Sequence, residues 1–360
     1  MIDEAADDPE LIDVRPDERV DAERLDPWLR THLDGVDVDA PLEVRQFGGG
    51  HANLTYLLRL GEREFVLRRP PLGPVAPSSH DMRREHRVLA RLVEAFPLAP
   101  RSYALCEDPS ILGCDFHVME RRHGFVLRRS LPAAFRDHPR LNRRLSEMIV
   151  DTLASLHAVD PKSVGLGDLG RPTGFLERQL MGWNARWQAV RDAEAGDDGR
   201  VDRIVAWLRR DVPPSRHATL LHHDYKLDNM LVKTTDPATP VAVLDWDMAT
   251  RGDPLVELGY LLIFWAEATD DPAWIEAAAM PTHHPGGLTR EGVVARYADR
   301  TGFDVSRIRW YHVFGLFKLI VILQQIYVRF LHGQTRDQRF ARFGRRVDGL
   351  IAKAWFVLSE

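Results

Sequence analysis

The sequence predicts an α+β protein of two lobes, a small antiparallel sheet lobe followed by a larger, mainly helical one. Three observations lead there. Residues 42–69 read as three short strands separated by glycine-containing turns. One run with helical periodicity, His80–Ala95, follows them. Beyond residue 123 the apolar spacing is mostly helical, with a single extended interruption between Leu220 and Trp246. The expected division is an N-terminal extension with a short helix over 1–38, a small lobe over 39–122 and a large helical lobe over 123–360.

In chain order, "DAERLDPWLRTHL" is the short N-terminal helix, "LEVRQF" the first strand, "GGGHAN" a turn, "LTYLLRL" the second strand and "REFVLRR" the third. In "HDMRREHRVLARLVEA", Met82, Leu89, Leu92 and Val93 share a broad apolar face. "SILGCDFHVMER" is a further strand, and a connection near Glu120–Phe125 leads into the second lobe. There, "LSEMIVDTLASLHAV" and "VDRIVAWLRR" are amphipathic helices, while "NMLVK" and "VAVLDW" are short extended pieces around the turn-rich "TTDPATP". Two apolar runs close the chain. "LVELGYLLIFWAEA" is too short to cross a bilayer, and "HVFGLFKLIVILQQIYVRF" is interrupted by Lys318, Gln324 and Gln325. Both read as buried helices, with no membrane anchor.

Composition narrows the function class. A chain of 360 residues with 44% hydrophobic and 28% charged residues has the make-up of a soluble globular protein with a sizeable core. A net charge of −5 gives no global attraction to nucleic acid. Two cysteines, Cys106 and Cys114, exclude a disulfide scaffold and favour a reduced interior. The acidic start "MIDEAADDPELIDVRPDE" lacks the apolar core of a signal peptide, so a cytoplasmic location is expected.

The chemistry concentrates in "LHHDYKLDNML" and the strand after it. Asp224 and Asn229 supply a carboxylate and an amide oxygen from one loop, and Asp245 ends the hydrophobic strand "VAVLD". Phosphoryl transfer needs this set: a carboxylate to orient a hydroxyl and accept its proton, and oxygen ligands to hold Mg²⁺ against phosphates. Asp224 is the expected catalytic group, and Asn229 and Asp245 the expected metal ligands. Asp247 is more readily a cap than a ligand, and Lys226 and Asp228 are expected on the loop exterior, where either could touch substrate. A zinc site at His222, His223 and Asp224 lacks a supporting ligand pattern, and a hydrolase reading lacks a serine elbow.

The pattern D-x-x-x-x-N followed by a metal-binding Asp is that of protein kinases. With His222, Asp224, Asn229, Asp245-Trp246 and "RGDPLVELG", the chain resembles the aminoglycoside phosphotransferase and choline kinase-like family, from residue 41 onward. Its "GGGHANLTY" and "FVLRRPP" are most similar to the kinase-like domain attached to some acyl-CoA dehydrogenases. The resemblance implies a protein kinase-like fold and ATP and Mg²⁺ as cofactors. It also implies that the strand between the lobes, here Met119, Glu120 and Arg121, gives backbone hydrogen bonds to adenine. Arg68 stands where protein kinases place a lysine, and its fork of donors can still clamp phosphates. Period-two alternation puts it on the face of Val66, with Arg69 opposite. Glu85 is expected to pair with Arg68, with Glu94 as rival. Gly48, Gly49 and Gly50 could lay backbone N–H groups over phosphates or form a plain hairpin turn. His51 and Asn53 touch phosphate or cap that turn. His223 departs from the family's glycine and either packs beside Tyr225 or reaches into the substrate cleft.

After Asp245 the chain runs directly into an apolar helix and leaves no room for a protein kinase's activation segment, so a small hydroxylated acceptor is expected and a protein substrate is not. The acceptor stays open between an aminoglycoside-like and a hydroxyacyl-type metabolite. "DAEAGDD" at 192–198 could favour the first, and the aromatics and arginines of "GFLERQLMGWNARWQAV" and "RIRWYHVFGLFK" the second. The competing reading is a catalytically inactive kinase-like module that binds a nucleotide or metabolite.

Overall fold

Alternation and turn chemistry build the small lobe. A computed structural model describes residues 10–37, 39–49, 53–73, 80–191, 199–278, 280–335 and 337–359. Strands β1 (Leu11–Ile12), β2 (Leu42–Phe47), β3 (Leu54–Leu60), β4 (Arg63–Arg69), β5 (Ser102–Cys106) and β6 (Phe116–Glu120) form one sheet in the order β1-β2-β3-β4-β6-β5. Every pairing in it is antiparallel. Gly61, at φ +62°, closes the tight β3–β4 turn in a conformation that disfavours other residues. The two faces of the sheet differ, as alternation requires. Tyr56, Leu58, Phe65 and Leu67 pack with Leu25, Leu29 and Leu33, which come from helix α1 (Ala22–His32) and its C-terminal end. Val66 faces the other way, onto Val88, Leu89 and Leu92 of helix α2 (Met82–Leu92), which Asp81 caps by accepting the Arg84 N–H.

The run 110–121 is not one strand. Its start is a short helix, α3 (Pro109–Leu112), ended by Gly113 at φ +77°, and only Phe116–Glu120 is extended. The inner edge of that strand pairs with β4 and its outer edge with β5, a strand whose buried face is Ser102, Ala104 and Cys106. Cys106 and Cys114 are free thiols.

The large lobe starts with β7 (Phe125–Val126), α4 (Ala133–Arg136), α5 (Pro139–His157), α6 (Phe175–Val190) and α7 (Arg200–Arg210). The extended interruption is then β8 (Thr219–Leu221), β9 (Met230–Val232), β10 (Pro240–Val243) and β11 (Thr250–Gly252). They make two small sheets, β10-β9-β7 and β11-β8. Helices α8 (Pro254–Phe264), α9 (Pro272–Ala277), α10 (Arg290–Thr301), α11 (Ile308–Leu331) and α12 (Phe343–Ser359) complete the lobe.

Helix α11 is long and apolar enough to cross a membrane by length and composition. Its Trp310, Phe314, Phe317 and Ile320 are instead buried in the lobe's core, each worth roughly 1.5–3 kcal/mol over exposure. It crosses α8 at Gly259 and Gly315. A Cβ on Gly259 would stand 2.5 Å from the Tyr311 backbone, and one on Gly315 3.0 Å from the Gly259 carbonyl. That close approach carries Lys318, one turn beyond Gly315, into the lobe's interior beside Tyr260.

Candidate active site

Glu257 builds the loop between β8 and β9 from below. Its carboxylate, 3% exposed on α8, accepts the backbone N–H groups of both His222 and His223, the former at 3.0 Å. His157 of α5 faces the same carboxylate with Nε2 at 3.0 Å, and its Nδ1 lies 2.6 Å from the Tyr297 hydroxyl. Burial works to raise the Glu257 carboxyl, but these bonds and charges hold it below its ordinary value. Glu257 therefore remains a carboxylate, as an acceptor of two amides must.

His222 straps the loop to the strand that follows. Its Nε2–H donates to the Leu244 carbonyl at 2.8 Å, and its Nδ1 accepts the Asp224 N–H at 3.3 Å. His223 occupies the left-handed region at φ +74°, an arrangement that costs a non-glycine residue about 1–3 kcal/mol. Its ring does not pack beside Tyr225, whose buried hydroxyl donates to Ile149. It lies near Phe175 and accepts a bond from Lys318 at 3.4 Å. Burial, chiefly, holds this imidazole down to about 3, so it is neutral near neutral pH.

On that scaffold Asp224 is tightly held. Asn229 Nδ2 donates to its carbonyl at 2.8 Å and to its Oδ2 at 2.9 Å, while Lys226 Nζ reaches both carboxylate oxygens at 2.7 and 2.6 Å. Lys226 is thus not on the loop exterior, and Asp228 is not either. Asp228 is half-buried with one oxygen unpartnered, and burial raises its carboxyl. With its Nδ2 turned to Asp224, Asn229 presents its amide oxygen away from that aspartate.

Across the cleft, Arg68 lies on the face of Val66 and Arg69 on the opposite one, over the Tyr56 ring. Arg68 is 6% exposed and bonds Glu85 on its own lobe and Asp245 Oδ1, at 2.6 Å, on the other. Of the two glutamates weighed, Glu85 is the buried partner, while Glu94 makes an exposed pair with Arg101. Glu85 also accepts the Trp246 N–H at 3.1 Å. Asp245 is left-handed at φ +71°. Burial alone would raise its carboxyl, but the Arg68 charge brings it below the usual range. Asp247 is buried and raised by burial and by Asp245, and it accepts Asn53 Nδ2 at 3.2 Å.

Asn53 therefore ties the turn region to Asp247, and its Oδ1 lies 2.7 Å from His80 Nδ1. Gly48 donates its N–H to the Glu10 carbonyl at 2.8 Å. A Cβ on Gly49 would lie 2.9 Å from Arg128, which itself pairs with Glu10. Gly50, His51 and residues 192–198 lie outside the described residues. Between the lobes, Met119 is buried, the Glu120 N–H goes to the Arg101 carbonyl, and Arg121 lies over the Phe47 ring.

Magnesium is a hard ion that takes one or two carboxylates, with phosphates and water completing its shell. The Asp245 carboxylate and the outward amide oxygen of Asn229 fit that demand. Among the described residues no group of three or more His, Cys, Asp or Glu side chains forms a self-sufficient metal cage.

Comparison with known proteins agrees with this geometry. Residues 43–311 match the model of the phosphotransferase enzyme family. The rat protein acyl-CoA dehydrogenase family member 11 is 31% identical over 336 residues, covering 91% of this chain and 42% of that one. The mouse acyl-CoA dehydrogenase family member 10 is 29% identical over 355 residues, covering 98% of this chain and 32% of its relative. The chain thus spans less than half the length of these curated relatives. A putative aminoglycoside phosphotransferase from Ralstonia eutropha superposes with a TM-score of 0.79 at 29% identity, covering 94% of this chain and 98% of that structure. Choline kinase from Cryptosporidium parvum shares the fold at TM-score 0.63 and 11% identity, with 94% and 96% covered. The chain belongs to the phosphotransferase enzyme family.

Proposed function

We propose that this chain moves the γ-phosphoryl group of ATP directly to the acceptor hydroxyl, with Asp224 as the group that takes the proton. The observation that supports this most is the hold on Asp224: Asn229 and Lys226 fix both carboxylate oxygens, as a group that must meet a hydroxyl in one orientation requires. The acceptor oxygen forms its bond to the γ-phosphorus as the bond to the β-phosphate oxygen breaks. The hydroxyl proton passes to Asp224 and ADP leaves with the electron pair.

In this reading the other residues divide the nucleotide between them. Arg68 binds the α- and β-phosphates, held in line by Glu85. Asn229 and Asp245 hold magnesium, which when bound neutralises charge on the phosphates. Met119, Glu120 and Arg121 present backbone to adenine, and Gly48, Gly49 and Asn53 border the phosphates. Lys226 offsets the negative charge of Asp224 beside the incoming phosphoryl group.

For the acceptor, the likeness to acyl-CoA dehydrogenase family members favours a hydroxyacyl-type metabolite over an aminoglycoside. Two free thiols and a globular fold suit a cytoplasmic setting. The test is Asp224→Asn. Turnover with a productive acceptor should fall by about 10²–10⁴-fold while ATP titration is unchanged; full activity in the folded variant would remove Asp224 from this role.

A further inference from the structure

Lys318 is a charge in an apolar place. It sits on α11, 3% exposed, among Phe314, Phe317, Ile320 and Val321. Its ammonium lies 4.2 Å from the centre of the Tyr260 ring and 5.7 Å from that of Trp183. Its one hydrogen bond among the described residues is the 3.4 Å contact to His223 Nδ1, long for an ammonium donor and made to a neutral ring. That bond sets the ring's tautomer: Nδ1 accepts, so Nε2 carries hydrogen, and Nε2 is buried without a partner. Lys318 and His223 therefore hold several N–H donors that no group among the described residues satisfies.

Packing alone does not account for this. A cation over an aromatic ring contributes about 0.5–2 kcal/mol, while an unpaired buried charge costs several times that. The carboxylates that act on Lys318, Asp224 and Glu257, have their oxygens engaged by Lys226 and Asn229 and by two backbone amides and His157. Lys226 and Arg186 lie close enough to act on Lys318 with further positive charge. An acceptor bearing ammonium groups would meet cations and no free carboxylate among these groups. One bearing an oxygen with negative charge would complete both donors.

Resting on the phosphotransferase reading of the Asp224 loop, we propose that Lys318 and His223 form the acceptor-recognition pair, binding a carboxylate or carbonyl oxygen of the acceptor and excluding ammonium-bearing acceptors. Trp183 and Tyr260, the rings on which the ammonium rests, flank that oxygen. His223 serves the pair by replacing the glycine that its backbone angle would favour.

The test uses hydroxy-monocarboxylates of increasing chain length from glycolate upward, their methyl esters, and amino-alcohols of matching length. Binding to the nucleotide-free protein is read by ligand-observed NMR, with Mg-ATP affinity measured separately. Wild type should prefer the carboxylates or the esters over the amino-alcohols by at least about tenfold, the worth of a charge-assisted bond to a desolvated donor. Lys318→Met and Lys318→Gln should each lose that preference and keep Mg-ATP affinity within about twofold. The choice between carboxylate and ester identifies which oxygen is read. Equal or better binding of amino-alcohols, or a preference that survives in either folded variant, would overturn the pair's role. Failure of wild type to bind Mg-ATP would instead count against the phosphotransfer mechanism, while the nucleotide-free preference would still decide the role of Lys318.

Discussion

Arg68 and Asp245, 177 residues apart, are joined at 2.6 Å across the two lobes. The arginine's other terminal nitrogen is on Glu85, so one guanidinium ties the helix of the small lobe to the strand end that carries Asp245. Replacing Arg68 by Ala strands a fully buried carboxylate, and the expected loss is about 3–5 kcal/mol of stability. Arg68→Lys should recover part of that and part of the ATP affinity, since the single ammonium cannot serve both partners with a fork. Urea unfolding and ATP titration of the two variants check this. An unchanged Arg68→Ala midpoint would show that the pair carries no stability.

Asp245→Asn tests the metal. It keeps the side chain's shape and its bond capacity toward Arg68 while removing the charge that faces a divalent ion. The magnesium-dependent part of ATP binding should drop by at least about tenfold, and the magnesium-free part should not. Calorimetric titration with and without magnesium separates them; equal losses in both would assign Asp245 to the fold instead.

Glu257 is expected to matter as much as any group near the phosphates, though it lies beneath the loop. Glu257→Ala leaves the N–H groups of His222 and His223 without acceptors in a buried place, at about 1–3 kcal/mol each. Hydrogen exchange should accelerate selectively at those two amides and at Asp224. Protection equal to wild type there would mean the loop is held by other contacts.

Lys318 gives a pH signature. Burial holds it at about 8 in the fold, against 10.5 for an unperturbed lysine. His223 and the rings of Tyr260 and Trp183 face it, with Asp224, Glu257, Lys226 and Arg186 acting on it at longer range. Between those two values the unfolded chain carries a proton that the folded chain has released, so stability rises with pH across that window. Below about 8 the full penalty is present, on the order of 3 kcal/mol. Lys318→Met should therefore exceed wild type in stability near neutrality, and the gap should narrow as pH climbs toward 10.5. Carboxylate binding by wild type should weaken over the same rise. Thermal unfolding of both proteins across that range checks the first part; a constant gap would mean that Lys318 does not titrate there.

Much of this was legible in the chain because it rests on local pattern. Alternation placed β2, β3 and β4 and the faces of Arg68 and Arg69; the short spacing of Asp224, Asn229 and Asp245 marked the loop and strand end on which the candidate site is built. What escaped notice depends on contacts distant in sequence. Glu257 reads as one more helical residue until α8 brings it under amides 34 and 35 positions earlier. His157 meets it from 100 positions away. Lys318 looked like an interruption in an apolar run, and only the Gly259–Gly315 crossing turns that interruption toward His223. Lys226 was misplaced for another reason: alternation says nothing about a loop, where a lysine two residues on can fold back onto its own aspartate. Strand β5 is bracketed by Pro100 and Asp108-Pro109, but Ser102, Ala104 and Cys106 face in while Tyr103 and Leu105 face out, so apolar alternation does not mark it.

The grip of Glu257 on two successive amides bears on how the protein would be governed. In protein kinases, assembly of the site waits on a modified activation loop and on the position of the helix that carries the glutamate. Here that glutamate is on Arg68, and the loop bearing Asp224 is anchored to the buried Glu257 of α8. Both parts that a protein kinase moves to assemble its site are here held by buried contacts within the fold, so the arrangement is written into the packing of α2 and α8.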